Sequence, residues 1–177
     1  MKISVVINTY NAEKHLVTVL ESVKEFDQIV LCDMHSSDNT IAIAEKYNCK
    51  IVYCERYPYV EPARNFAIAQ ADHPWILVID ADETVPPKLR EYLYQITKNP
   101  AIGGVYIPFK NYFIDQYMRS AFPDFKLRFF KKEGADWPKE IHSTVKVQEE
   151  VVKIPRHRKD LASEHLANDS VTTILSK

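Results

Sequence analysis

The segment Trp75-Ile76-Leu77-Val78-Ile79-Asp80-Ala81-Asp82-Glu83 decides the fold and indicates the chemistry of this chain. Its first five residues are apolar and mostly β-branched or aromatic, which is typical of a buried strand. Three carboxylates follow at the carboxyl end of that strand, where an open α/β sheet binds its ligands. Alternation along an extended chain predicts that Asp80 and Asp82 point the same way. Two such charges repel unless a cation lies between them, and hard oxygen ligands suit a divalent cation that holds a phosphate.

Strands and helices alternate through the first hundred residues. The predicted strands are 3–7, 28–32, 50–53 and 75–79. The predicted helices run from a cap at Asn11 to about Val23, from a cap at Ser37 or Asp38 past Tyr47, from Glu61-Pro62 to Gln70, and from Pro86-Pro87 through Ile96. Strands that are apolar throughout, separated by amphipathic helices, predict an α/β fold with a mostly parallel sheet covered on both faces.

The pattern changes after residue 100, where aromatic residues become dense. Segments 105–109 and 127–130 are predicted strands, 145–152 is a weaker third, and 171–175 has the pattern of an amphipathic helix. We interpret residues 101–177 as a mixed-sheet continuation of the same domain, so that 1–177 form one domain with 1–100 as its first half.

Composition excludes several classes of protein. The net charge is −1 and the hydrophobic fraction is 46%. No basic block is present that could follow a nucleic-acid backbone, and the cluster Arg156-His157-Arg158-Lys159 is better explained as a solvated loop than as a contact with phosphate or an anionic membrane. No apolar run resembles a signal core or a membrane span. Three cysteines without CxxC spacing favour a reduced, cytoplasmic protein.

Glycine is scarce where nucleotide-binding loops would need it. The three glycines are Gly103, Gly104 and Gly134, and none of them follows an early strand. Loops that hold phosphates with backbone N–H groups need clustered glycines, so Walker-type and dinucleotide-binding motifs are both excluded. Side chains and a metal would therefore have to bind any nucleotide.

Polar residues end three of the predicted parallel strands, at 8–11, 33–38 and 80–83. The carboxyl ends of parallel strands emerge on one edge of the sheet, so these residues are expected to converge. Taken singly, Asn11 and Asp38 are equally well explained as helix caps and Thr9 as a turn residue. Their conjunction favours a ligand site.

Four segments in order resemble the family 2 glycosyltransferases, whose fold is the nucleotide-sugar-binding GT-A type. They are the opening strand 3–11, the second-strand motif 33–40, the Arg-Asn helix 61–66 and the metal-binding DxD segment 75–83. Order and spacing agree across 3–96, and the likeness continues more loosely through 127–130 and 141–142. The resemblance implies a GT-A fold with a Rossmann-like, mostly parallel sheet and a mixed-sheet acceptor half.

The resemblance also implies roles for particular residues. Nucleotide-sugar contacts would come from Thr9, Tyr10, Asn11, Asp33, Arg64, Asp80 and Ala81, with Asp33 accepting from the imide N–H of a uracil. Arg64 has the alternative of a helix-surface ion pair. Asp82 would ligate Mn²⁺ or Mg²⁺, and a late histidine, His165, would complete the metal site unless it is an ordinary surface residue.

The general base is less clearly marked. Relatives often carry a His-Glu pair where this chain has His142-Ser143. Glu140 would share a face with His142 on a strand, and we predict that one of these two takes the acceptor proton. The alternative is that His142 only hydrogen-bonds locally. Trp137 is better explained by core packing than by stacking on a sugar.

The resemblance implies an inverting transfer from a UDP-sugar to a hydroxyl of a saccharide or lipid-linked saccharide in bacterial envelope synthesis. The expected location is the cytoplasm, with peripheral association with the inner face of the membrane left open. Relatives commonly extend past this length, which leaves a C-terminal truncation open. Two alternatives are a nucleotide-sugar-binding module without turnover, and a haloacid-dehalogenase-type phosphatase, because Asp80-Ala81-Asp82-Glu83-Thr84 also fits DxDxT.

Overall fold

The computed structural model describes residues 1–113, 116–117 and 122–166. In chain order, the elements are β1 (Ile3–Thr9), α1 (Glu13–Val23), β2 (Gln28–Asp33), α2 (Thr40–Ala44), a 3₁₀ turn (Glu45–Tyr47), β3 (Lys50–Tyr53), α3 (Glu61–Ala69), β4 (Trp75–Asp80), β5 (Glu83–Thr84), α4 (Pro87–Ile96), β6 (Ile102–Phe113), β7 (Gln116–Tyr117), β8 (Asp124–Lys131), β9 (Glu150–Lys153), a 3₁₀ turn (Lys159–Leu161) and β10 (Ser163–His165).

The first half forms the predicted parallel sheet in the order β3-β2-β1-β4. Almost every residue of β1, β2 and β4 is buried, because α1, α2 and α4 pack on one face and α3 packs on the other. The four predicted strands and the coverage of both faces are confirmed. Burial of these apolar strands is the main source of stability for this half.

The second half extends the same sheet with mixed strand directions, as predicted. Strand β8 runs antiparallel to β4, and β6 runs antiparallel to β8. Trp75 of β4 stacks on Phe129 of β8, with ring centroids 4.7 Å apart. Strand β10 lies parallel to β6 and antiparallel to β5. Strand β10 therefore lies beside β5, close to the carboxyl end of β4, so residues 163–165 reach the predicted ligand edge.

Several local predictions are wrong. The strand predicted at 145–152 is shorter and later, since β9 begins only at Glu150 and Lys146 forms an isolated bridge with Asp136. Residues 139–142 form a turn, and His142 has a φ of 62°, so Glu140 and His142 do not share a strand face. Asn11 does not cap α1, because it has a φ of 46° and Ala12 occupies the cap position. The amide of Glu13 instead donates to Asp38 Oδ2 at 3.0 Å.

The predicted helix at 171–175 lies outside the described residues. Across the part of the chain that the structure describes, no helix has the length and apolar character needed to cross a membrane.

Candidate functional site

A cavity of about 700 Å³ lies at the carboxyl ends of β1 and β4. A volume of this size suits a small-molecule ligand. Of the predicted site residues, the structure places five around it: Thr9, Tyr10, Asp80, Asp82 and His165. Asn8, Met34, Arg56, Tyr57, Pro58, Tyr59 and Val60 complete the lining. We call this space the first cavity.

Asp82 and His165 meet at the rim of the first cavity. Strand β10 pairs with β5, and the amide of Leu166 donates to the carbonyl of Asp82 at 2.8 Å, which fixes the turn that carries Asp82. The imidazole Nε2 of His165 lies 3.5 Å from Asp82 Oδ2, and the two side chains are 19% and 25% exposed. His165 is therefore not an ordinary surface residue.

The donor set of this pair fits a divalent cation. Asp82 Oδ1 is buried and has no hydrogen-bond partner among the described residues. Asn111 Oδ1 lies 3.3 Å from His165 Nδ1, so it can accept a hydrogen bond from the Nδ1–H tautomer and leave Nε2 as the free ligand. No group of three or more His, Cys, Asp or Glu side chains that could hold a metal occurs in the described residues. Oxygens of a bound diphosphate and water would have to complete the coordination.

Asp80 is compensated by guanidinium groups. Its Oδ1 accepts from Arg64 Nη2 at 2.8 Å, and its Oδ2 accepts from Arg128 Nη2 at 2.6 Å. Burial favours the neutral acid, but Arg128 and then Arg64 outweigh it and hold the pKa of Asp80 well below its usual range. Strand β4 ends at Asp80, and residues 81–82 form a turn, so strand alternation does not relate Asp80 to Asp82.

The third carboxylate of the segment, Glu83, is fully buried rather than at the ligand edge. Its Oε2 accepts from the amide of Asp80 at 3.0 Å, and its Oε1 accepts from Lys126 Nζ at 3.0 Å and lies 3.5 Å from Arg128 Nη2. Burial opposes the charge on Arg128, but Asp80 and Glu83 together raise its pKa. Arg64, Glu83 and Arg128 are buried, whereas the Asp80 and Lys126 side chains are 32% and 28% exposed. We call these five residues the buried charge cluster, after its three buried members.

Trp137 packs beside the buried charge cluster. Its ring lies 4.5 Å from the guanidinium carbon of Arg64 and 5.8 Å from that of Arg128, within range of cation–π attraction. Asn65 fixes the Trp137 segment, since its side chain accepts from the amide of Trp137 at 2.8 Å and donates to the carbonyl at 3.0 Å. Trp137 is 4% exposed, in agreement with the core-packing interpretation.

A second cavity, of about 430 Å³, adjoins the first, with Val60 and Asp80 in both linings. Among the predicted site residues, Arg64, Asp80 and His142 line it. The amide of His142 donates to Glu61 Oε1 at 3.0 Å. Glu140 is exposed in the turn and lines neither of these two cavities. Of the two candidates for the general base, His142 therefore lines the second cavity and Glu140 does not.

The remaining predicted residues lie close to the first cavity without lining it. Asp33 is fully buried and accepts from Thr9 Oγ1 at 2.7 Å, from the amide of Ser36 at 2.7 Å and from Ser36 Oγ at 2.6 Å. Asn11 Oδ1 accepts from the amide of Ser37 at 2.8 Å. Ala81 packs against the core. In this arrangement both carboxylate oxygens of Asp33 accept hydrogen bonds from other groups of the protein.

The sequence analysis assigned no individual role to four residues of the site. Asn8 stands in the polar stretch 8–11 that was expected at the ligand edge. Arg56 and Asn111 carry no strong pattern, although Arg56 lies 4.1 Å from the ring centroid of Tyr10. Arg128 did carry a signal: it stands in the apolar run Leu127-Arg128-Phe129-Phe130, and a charge in a buried strand requires a partner. Its partner could not be read from the sequence, because Asp80 lies 48 residues away.

A parallel sheet that ends in Asp80-Ala81-Asp82, followed by antiparallel strands that return to the same edge, is the GT-A fold of nucleotide-sugar-dependent glycosyltransferases. Residues 4–146 match the profile of Glycosyl transferase family 2, so the chain belongs to this family.

Sequence relatives support this membership. An uncharacterized glycosyltransferase of Rickettsia conorii is 35% identical over 96 residues, which are 54% of this chain and 34% of the relative. The poly(ribitol-phosphate) beta-N-acetylglucosaminyltransferase TarS of Staphylococcus aureus is 33% identical over 96 residues, 48% of this chain and 17% of TarS. The lipopolysaccharide core biosynthesis glycosyltransferase LpsC of Rhizobium meliloti is 33% identical over 102 residues, 54% of this chain and 37% of LpsC. The chain thus spans about a third of the length of the first of these relatives.

Solved structures agree on the fold. A crystal structure of S. aureus TarS residues 1–349 has a TM-score of 0.55 and 29% identity, covering 63% of this chain and 36% of that chain. Glucosyl-3-phosphoglycerate synthase from Mycobacterium tuberculosis, crystallised with Mn²⁺, UDP and glucosyl-3-phosphoglycerate, has a TM-score of 0.51 and 21% identity, covering 63% and 44%. The second likeness concerns the fold alone.

Proposed function

We propose that this glycosyltransferase moves a sugar from a UDP-sugar to a hydroxyl of a saccharide or lipid-linked saccharide, with inversion at the anomeric carbon. The observation that carries the proposal is the pairing of Asp82 and His165 at the rim of the first cavity, with Asp82 Oδ1 buried and without a partner in the part of the chain that the structure describes. TarS has been crystallised with UDP and with UDP-GlcNAc, which supports a uridine nucleotide as the donor.

Asp82 and His165 would hold Mn²⁺ or Mg²⁺ in this proposal. When bound, the cation neutralises charge that develops on the leaving diphosphate. Thr9 and Tyr10 would lie along the nucleoside, and Asp80 would lie by the ribose and the donor sugar. Because Arg64 and Arg128 keep Asp80 ionised, Asp80 remains a hydrogen-bond acceptor for hydroxyl groups.

The second cavity is the proposed acceptor site. His142 lines it, so we assign His142 rather than Glu140 as the group that takes the acceptor proton. As the acceptor oxygen bonds to the anomeric carbon, the bond from that carbon to the β-phosphate oxygen breaks and the nucleoside diphosphate leaves. Attack from the face opposite the leaving group gives inversion.

An envelope polysaccharide is the proposed product. TarS and LpsC are named for a poly(ribitol-phosphate) and for a lipopolysaccharide core respectively, which supports this class of acceptor. The phosphatase alternative is not retained, because the chain belongs to a glycosyltransferase family and both oxygens of Asp80 accept from arginines.

Release of UDP from a panel of UDP-glucose, UDP-galactose and UDP-GlcNAc tests the proposal. Release that requires Mn²⁺ or Mg²⁺ and stops with EDTA is the expected result, and addition of a mixed oligosaccharide acceptor should raise its rate. Metal-dependent binding of UDP by calorimetry, without release with any donor or acceptor, would instead identify a binding module. Absence of both binding and release would refute the proposal.

A further inference from the structure

Asn8 is the penultimate residue of β1 and stands directly beside Asp80 in the parallel sheet. In the register of β1, Asn8 pairs with Cys32 on one side and with Asp80 on the other. Residues paired in this way project to the same face of a sheet. Asn8 is 6% exposed and lines the first cavity. Its side chain is therefore buried at the floor of the proposed donor site.

The amide of Asn8 has no partner in the described part of the chain, at either Oδ1 or Nδ2. The two other polar residues of β1 differ in this respect. Ser4 Oγ donates to Gln28 Oε1 at 2.6 Å, and Thr9 Oγ1 donates to Asp33 Oδ1 at 2.7 Å. Buried polar groups in proteins are nearly always hydrogen-bonded, and leaving one unpaired lowers stability. An apolar residue at position 8 would fit the strand better, so the amide calls for a ligand.

The chemistry of the amide selects the ligand group. Asparagine offers one carbonyl oxygen as an acceptor and two N–H donors, whereas a vicinal diol offers hydroxyls that each donate and accept. Asp80 is already engaged by two arginines, whereas Asn8 is neutral and its amide has no partner among the described residues. The terminal torsion of asparagine is broad, which lets the amide plane turn without backbone movement.

We infer that Asn8 is a specificity-determining residue that recognises paired hydroxyls of the nucleotide sugar. This inference rests on the proposed function. The hydroxyls belong either to the ribose or to the transferred sugar, since both carry vicinal diols.

Calorimetry on Asn8→Leu, with MnCl₂ held constant, tests this role. The probes are UDP, 2′-deoxy-UDP, and whichever of UDP-glucose and UDP-GlcNAc binds the wild type more tightly. We expect Asn8→Leu to bind at least one of these ligands about tenfold more weakly, the worth of a lost hydrogen bond, with a Tm equal to or above that of the wild type. The matched control is Ser4→Ala, a change on the same face of β1 that removes a satisfied hydroxyl away from the cavity. It should lower Tm and leave every affinity unchanged.

The two sources of hydroxyls give different patterns. If Asn8 recognises the ribose, the variant binds UDP more weakly and no longer distinguishes UDP from 2′-deoxy-UDP. If it recognises the transferred sugar, UDP affinity is unchanged and only the UDP-sugar is weakened. Should Asn8→Leu not fold, Asn8→Ala removes the amide without adding bulk, and the same affinities decide.

Wild-type affinity of the folded variant for all probes would overturn the inference while leaving the proposed function intact. If the wild-type protein itself binds no uridine nucleotide, the proposed function fails and the inference falls with it.

Discussion

The two carboxylates at the end of β4 lie two residues apart and have opposite surroundings. Asp80 belongs to the buried charge cluster, where each of its oxygens accepts from an arginine. Asp82 lies outside that cluster, with one oxygen that has no hydrogen-bond partner among the described residues and the other 3.5 Å from His165. Both oxygens of Asp80 therefore pair directly with cationic side chains, whereas one oxygen of Asp82 has no such partner in the described part of the chain.

This difference separates a carboxylate held mainly by protein cations from one that can still coordinate a metal ion. A carboxylate held by two buried guanidiniums is costly to disturb, because removing either partner leaves an uncompensated charge. A carboxylate with a free oxygen has coordination capacity left for a cation. The comparison predicts that substitutions around Asp80 act mainly on folding and that substitution of Asp82 acts mainly on catalysis.

The largest expected effect is that of Asp82→Asn on turnover. Loss of the charge that would hold the metal should lower the rate of UDP release about 1,000-fold, comparable with the removal of one preorganised transition-state contact. The free energy of unfolding should hardly change, because no described partner of Oδ1 is lost. Steady-state UDP release and thermal unfolding by circular dichroism measure the two quantities.

Asp72→Asn is the matched control for Asp82→Asn, since it removes an exposed carboxylate that pairs with Lys50 on the surface. This control should release UDP at the wild-type rate. If Asp82→Asn kept full turnover, or lost its activity only because it unfolded, the contrast between the two carboxylates would break.

The next effect is the loss of stability in Arg128→Leu. Asp80 would lose one guanidinium and Glu83 a nearby positive charge, and breaking a buried pair costs about 3 kcal/mol or more. Urea denaturation of both proteins measures this difference. Lys126→Met is the comparison variant, because its ammonium also pairs with Glu83 but its side chain is 28% exposed. We expect a smaller loss there, and equal losses in the two variants would contradict the special position of Arg128.

The sequence predicts those features that depend on residues close together in the chain, and it does not predict contacts between residues far apart in the chain. The strands and helices of the first half follow from periodicity within single segments, so β1–β4 and the faces covered by α1 and α3 were predictable. The ligand edge follows too, because the carboxyl ends of parallel strands must meet.

The contacts that distinguish Asp80 from Asp82 are long-range and were not predictable. Arg128 and Asp80 are 48 residues apart in the chain, and their contact depends on antiparallel pairing of β8 with β4. The turn at 139–142 was missed because Pro138 and the glycine-poor sequence after it give no clear strand or turn pattern. His165 reaches Asp82 only through the pairing of β10 with β5. Resemblance to a family indicated His165, whereas periodicity did not.

A smaller effect is expected for Asn111→Ala, which tests whether the partner of His165 contributes to the metal affinity of the proposed Asp82–His165 site. Asn111 lies 3.3 Å from His165 Nδ1, and outer partners of a ligating histidine typically contribute tenfold or more to metal affinity. We expect Mn²⁺ to support UDP binding at about tenfold higher concentration, with unchanged turnover at saturating metal. A titration of Mn²⁺ at fixed UDP measures this. A loss of turnover that saturating metal does not restore would assign Asn111 another role.

The smallest effect concerns Asp27, an exposed carboxylate that pairs with no guanidinium among the described residues. Its Oδ2 accepts from the amide of Ile3 at 2.9 Å and from Tyr94 Oη at 2.6 Å. Burial raises the pKa of Asp27, but the hydrogen bonds from Tyr94 and Ile3 outweigh it and lower the pKa below its usual value. Because the folded pKa is below the unfolded value of about 3.9, ionised Asp27 contributes stability above roughly pH 4 and loses that contribution as the pH falls through the folded pKa.

Asp27→Asn should therefore lower Tm by about 1–2 °C at pH 7, and the difference in Tm from the wild type should shrink at pH 3. Thermal unfolding of both proteins at the two pH values measures the gap. A gap that stays constant would mean that packing of the side chain, and not its charge, is responsible. A gap as large as that of Arg128→Leu would show that contact with two arginines is not what distinguishes Asp80.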